Sequence, residues 1–206
     1  MNHKSIFLIG IIGVLLFIAS CVAGGLLIED YNVNRQFISE TFAIDTAYGF
    51  WLRFLGYIPS GILLTWFCFL GVRYFPTSSM IKVGFYGVGI FYGIGTVVVS
   101  IFPCDSGCNP EFINPSMSQV IHNLSALMIY TFVPISIIIA GIGLSKFSNY
   151  KSFAYISIAL GLLSAVFVFI FISGLTSAYV GLYQRIIELL ILVWFVVCAF
   201  KIRGTV

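Results

Sequence analysis

The sequence predicts an all-α polytopic membrane protein, a single domain over residues 1–206 whose six transmembrane helices form one bundle with both termini cytoplasmic. Three observations carry this. Hydrophobic residues make up 60% of the chain and charged ones 8%, against roughly 25% charged in soluble domains. Six continuous apolar runs of about twenty residues recur, the length needed to cross about 30 Å of hydrocarbon. The charges also divide. Lys4, Arg73, Lys82, Lys146, Lys151, Lys201 and Arg203 fall on one side of such a bundle with no acid beside them, while all seven acids fall on the other with Arg35, Arg53 and Arg185. Short cytoplasmic loops collect Lys and Arg, so an even number of crossings in the plasma membrane fits, and an odd number breaks the partition.

The first run, 6–28, opens with a basic end and contains Ile18-Ala19-Ser20-Cys21, a likeness of a lipoprotein cleavage box; its apolar character continues to Ile28, so it reads as an uncleaved span. The second, 54–75, follows Trp51 and Arg53, placed as interfacial anchors, and holds Pro59. The third, 83–102, is rich in glycine; Gly89 and Gly93 have the spacing that lets two helices approach closely. That face suits packing inside the bundle or, as the alternative, a homo-oligomer contact. The fourth, 121–144, starts at His122 and contains Pro134; the fifth is 153–173; the sixth, 183–200, carries Gln184, Arg185 and Glu188 in its first third. The basic-side loops 76–79 and 145–151 are too short to hold a catalytic domain. The outer loops 29–53 and 103–120 are longer, so a site is expected to open outward.

Cys104 and Cys108 sit in the second outer loop, where an oxidising space favours a structural disulfide. A redox-active pair is the alternative, although the spacing is not that of thioredoxin-like sites. With only His3 and His122 in the chain, neither bis-histidine haem nor a three-histidine zinc site can be assembled, and no metal or cofactor is expected. The net charge of +3 does not suggest nucleic acid. Cys21, Cys68 and Cys198 read as small buried apolar residues. Ser118 and Ser125 share a helix face with His122, but no nucleophile motif accompanies them. Arg185 and Glu188, three apart, can pair on one face; an ionisable group inside a span is otherwise a sign of function. Asn123-Leu124-Ser125 matches a glycosylation sequon but falls in a span.

Taken together, Ile38-Ser39-Glu40 before the second run, Phe102-Pro103-Cys104-Asp105 with Gly107-Cys108 after the third, His122 opening the fourth and Gln184-Arg185 opening the sixth resemble the bacterial and archaeal domain-of-unknown-function family 998. The resemblance spans nearly the whole chain. It implies a six-helix membrane protein with a polar outer face, and no established reaction.

The functional expectation is a protein that binds a membrane lipid or other amphiphile in an outward-opening polar pocket. Arg53 or Arg185 would meet an anionic head group, with Glu40, Gln184, His122, Asp105 and Glu188 around the rim. The alternative is an intramembrane enzyme acting on a lipid or quinone, with His122 as general base and Asp105 or Glu188 as its partner. A transporter ranks third, for want of midplane polar groups and internal repeats.

Overall fold

In hydrocarbon a backbone can bond only to itself, and the apolar runs fold accordingly into helices. A computed structural model describes residues 2–175 and 177–204. It contains α1 (His3–Leu27), α2 (Gly49–Tyr74), α3 (Ser79–Ile101), α4 (Met117–Ser145), α5 (Ser148–Ser173) and α6 (Val180–Arg203), with no strand among the described residues. By length and composition α1 to α5 can each cross a membrane. The 24-residue α6 is as long but carries Gln184, Arg185 and Glu188 near one end. The protein thus has the build of a multi-pass membrane protein. Helix α1 runs unbroken through Cys21, and α4 runs through Pro134.

Each helix packs on its neighbours in sequence, and α6 closes the ring against α1. Both chain ends share one end of this ring: Phe7 meets Phe200 edge-on at 5.2 Å, and Arg203 lies over the Phe7 ring. The loops near Phe75 and Tyr150 are at the same end, since those two rings lie 5.9 Å apart and Lys201 Nζ sits 4.8 Å from the Tyr150 ring. Small residues permit the close approaches. A Cβ on Gly93 would stand 2.8 Å from the Thr65 nitrogen, so the Gly89 and Gly93 face is spent against α2 within the bundle. A Cβ on Gly84 would likewise collide with Ala140 and Ser136 of α4.

The two halves of the ring are filled differently. At the basic end Trp194 and Phe195 of α6, Phe67 of α2 and Phe85 of α3 fill the axis, all fully buried. Trp194 satisfies its indole N–H on the Ser157 hydroxyl at 3.1 Å. At the opposite, loop-rich end the axis is hollow. The first loop enters the ring there as a short 3-10 helix, Ile38–Phe42, burying Ile38, Thr41 and Phe42. The second loop lies against it: the Ile44 N–H donates to the Cys104 carbonyl at 3.0 Å, and Cys108 Sγ is 3.1 Å from Ser39 Oγ.

Two widened turns shape the hollow end. Residues Arg53–Tyr57 of α2 and Gly89–Ile94 of α3 are π-helical. The first ends two residues before Pro59, whose missing N–H and bulky ring disturb the regular α ladder. Such turns recur at functional sites, and here one carries Tyr57 and the other Tyr92.

Candidate functional site

The hollow end encloses a cavity of about 310 Å³ to which all six helices contribute. Its walls are mainly apolar, with Phe17, Phe42, Val99, Ile129 and Phe171 among the contributors. Against them stand a few polar groups, an arrangement typical of small-molecule sites.

One of these is Glu188, 8% exposed and one turn inside α6 beyond Gln184. The Tyr92 hydroxyl donates to its Oε2 at 2.7 Å and the Tyr130 hydroxyl to its Oε1 at 3.0 Å. Gln184 Nε2 donates to the Tyr130 oxygen at 2.9 Å, and Gln184 Oε1 accepts from the Ile38 N–H at 2.6 Å. A continuous polar chain therefore joins the first loop to a buried carboxyl through helices α6, α4 and α3. Buried polar groups must be paired in this way or be costly.

His122 lies on the opposite part of the wall and is 5% exposed. Its Nδ1 is within 2.9 Å of the Phe102 carbonyl and 3.1 Å of the Val99 carbonyl at the end of α3. Two acceptors at one nitrogen require that nitrogen to hold the proton, so Nε2 keeps its lone pair and has no protein partner among the described residues. Tyr57, 1% exposed, lies beside Thr41, but its hydroxyl makes no hydrogen bond. The rings of Tyr57 and His122 each neighbour that of Phe42, at 4.7 Å and 6.2 Å.

The exposed wall residues mark a mouth. Asn123 and Leu127 of α4 face Ile172 of α5 and the following Leu175, and the three apolar ones are 47–51% exposed. The cavity therefore opens sideways between α4 and α5, with Pro110 of the second loop at its upper edge.

Of the residues singled out by sequence, His122, Gln184 and Glu188 line this cavity; Arg53, Arg185, Glu40 and Asp105 do not. Arg53 bonds the Gly49 and Ser100 carbonyls, joining the start of α2 to the end of α3. Arg185 turns away from Glu188, and the expected pair on one helix face is not formed. Its Nη1 donates to the Val33, Gln36 and Gly181 carbonyls at 2.8–2.9 Å and its Nη2 to the Tyr31 hydroxyl at 2.6 Å. Burial dominates at that phenol and pushes it up to about 12, against the opposing pull of Arg185. Glu40 folds back on its own turn, accepting from the Phe37 N–H at 2.7 Å and from Gln36 Nε2 at 3.0 Å. Partial burial raises its carboxyl, outweighing those two bonds. Ser118 donates to the Pro103 carbonyl, so it is not paired with His122.

Asp105 braces the second loop to the first turn of α4. It accepts from the Ser116 hydroxyl and, at 3.0 Å, from the Ser116 N–H. The Ser116 side chain holds its carboxyl below the usual aspartate value of 3.8. A depressed carboxyl stabilises the fold above its ordinary value and loses that contribution as pH falls through the folded one. The Ser116 amide proton shift is thus expected to titrate with a midpoint below 3.8, and Asp105→Asn to abolish that titration. A midpoint at or above 3.8 overturns the assignment. The Cys104–Cys108 disulfide, read from sequence, is formed, with Cα atoms 4.8 Å apart.

Sequence reasoning missed Tyr57, Tyr92 and Tyr130. The usable signal was depth: tyrosine favours the membrane interface, and a phenol far inside a span needs a partner.

The family described as Protein of unknown function (DUF998) matches residues 11–201. No curated protein and no solved structure gives a match.

Proposed function

Since the chain belongs to the DUF998 family, which assigns no reaction, we propose a function from the cavity alone: binding of one chain of a membrane lipid or similar amphiphile. One observation carries the reading, namely a largely apolar cavity of about 310 Å³ with a sideways mouth flanked by exposed Leu127, Ile172 and Leu175. At about 30 Å³ per water-sized group, it has room for roughly ten heavy atoms. That suits the end of one acyl or isoprenoid chain rather than a whole two-chain lipid. The same reading puts the protein in the plasma membrane with the cavity end outward, supported by seven cations free of acids at the other end and by the disulfide.

The test uses protein purified in native membrane patches, whose bound lipids are extracted and compared with bulk membrane. One amphiphile is expected to be enriched, and Ala126→Trp, which fills the cavity from its wall, is expected to remove the enrichment while the melting temperature holds. Bulk lipid composition in both proteins would count against the proposal.

A second reading is favoured by His122. With Nδ1 anchored on two carbonyls, this cavity-lining histidine keeps an unprotonated Nε2, the form a general base needs. In this reading the protein is an intramembrane enzyme, and carbonyls rather than Asp105 or Glu188 orient the base. Full lipid turnover by His122→Ala would remove it.

A further inference from the structure

Resting on the reading of the cavity as an amphiphile site, we infer that its occupant ends in an uncharged hydroxyl, as in a long-chain alcohol or a monoacyl glyceride. Among the polar groups on the wall, most are already spent. Thr96 and Ser100 donate to carbonyls of their own helix at 2.7 Å, and Gln184, Tyr92, Tyr130 and Glu188 satisfy one another. Two atoms remain. The Tyr57 hydroxyl is buried with no partner, and His122 Nε2 offers a lone pair because the proton sits on the other nitrogen. Both rings neighbour that of Phe42, at 4.7 Å and 6.2 Å between centroids, and both line the cavity.

An acceptor and a donor lining one cavity are together complementary to a hydroxyl, which donates one hydrogen bond and accepts others. The hydroxyl proton goes to His122 Nε2 and a lone pair receives the Tyr57 proton; no bond is made or broken. Charged ends fit worse. Neither Arg53 nor Arg185 lines the cavity, and each Glu188 oxygen already accepts from a phenol. A carboxylate or phosphate inside would therefore face a carboxyl with no cation to offset it. An ammonium has donors only and would give the Tyr57 proton nothing to bond.

The experiment uses the full chain in phosphatidylcholine nanodiscs, with binding read from the melting temperature on titration with 1-dodecanol, dodecanoic acid, dodecylamine and 1-monododecanoylglycerol. The alcohol or the glyceride is expected to raise it most, and which of the two does so separates the two sources. Tyr57→Phe and His122→Phe are each expected to weaken that binding by about fivefold to tenfold, the loss of one hydrogen bond. Without ligand Tyr57→Phe is expected to melt no lower than the parent, since it deletes a hydroxyl that has no partner. Stronger stabilisation by the acid or the amine, or unchanged alcohol binding in both variants, overturns the inference and leaves the cavity reading standing. No stabilisation by any of the four probes, with Ala126→Trp also indifferent to them, overturns both.

Discussion

Arg185→Ala is expected to release the first loop from the mouth of the ring without unfolding the helices. The guanidinium is the main tie between α6 and that loop: it reaches the Val33 and Gln36 carbonyls and the Tyr31 hydroxyl, and its carbon lies 5.5 Å from the Tyr31 ring. What remains after its removal is the bond from the Ile38 N–H to Gln184 and the bond from the Leu182 N–H to the Asn34 carbonyl at 3.1 Å. Hydrogen bonds to a charged group contribute about 1.5–3 kcal/mol each when buried, and partial exposure lowers that. A net loss of roughly 2 kcal/mol corresponds to about a thirtyfold larger open population. Hydrogen exchange over residues 31–43 is the measurement, with faster exchange expected there and unchanged exchange in α1 to α6. Arg185→Lys is expected to recover little, because an ammonium cannot span the same set of acceptors. Gly181→Ala provides an independent route to the same state, since its Cβ would collide with the Gln36 and Val33 carbonyls while leaving Arg185 in place. Equal protection in both variants would overturn this account of the loop.

The largest effect on stability is expected from Gly84→Val. A Cβ at this position would stand 2.6 Å from the Ala140 nitrogen and from the Ser136 oxygen. Both are backbone atoms of α4, so no side chain can turn aside, and the two helices must separate. Overpacking of this kind costs about 3 kcal/mol or more, enough to remove most of the monodisperse protein and to lower the melting temperature of what remains. Gly107→Ala is the contrast. Its added Cβ meets nothing within 4 Å, although φ is +59°, so only the left-handed backbone penalty of about 1 kcal/mol applies. If Gly84→Val melts like Gly107→Ala, the close contact of α3 with α4 is wrong.

The six helices were legible because hydrocarbon imposes a simple length and polarity rule on each crossing. Their starts were less so. The expected second, third and fourth runs began at 54, 83 and 121, whereas the helices begin at Gly49, Ser79 and Met117. The first turn of each is interrupted by small or polar residues, Gly49 in the second helix, Ser79 and Lys82 in the third, and Ser118 and Gln119 in the fourth, so the continuous apolar run begins later than the backbone hydrogen bonding. His122, Gln184 and Glu188 were legible as polar groups inside apolar runs. Their partners were not, because Tyr92 and Tyr130 stand 96 and 58 residues from Glu188 in the chain, and depth along a helix says nothing of lateral order. Arg185 and Glu188 illustrate the limit well. Their spacing makes them neighbours on one face, yet the three-dimensional surroundings offered the cation three acceptors in the loop and the carboxyl two phenols on the cavity side.

Under the proposed binding of an amphiphile, the sideways mouth between α4 and α5 changes what concentration means for this protein. If the cavity holds an amphiphile as proposed, the guest slides in from the surrounding leaflet by two-dimensional diffusion and never passes through bulk water. Occupancy then follows the guest's mole fraction among neighbouring lipids, so two membranes of different composition can load the same protein differently while the aqueous phase stays the same.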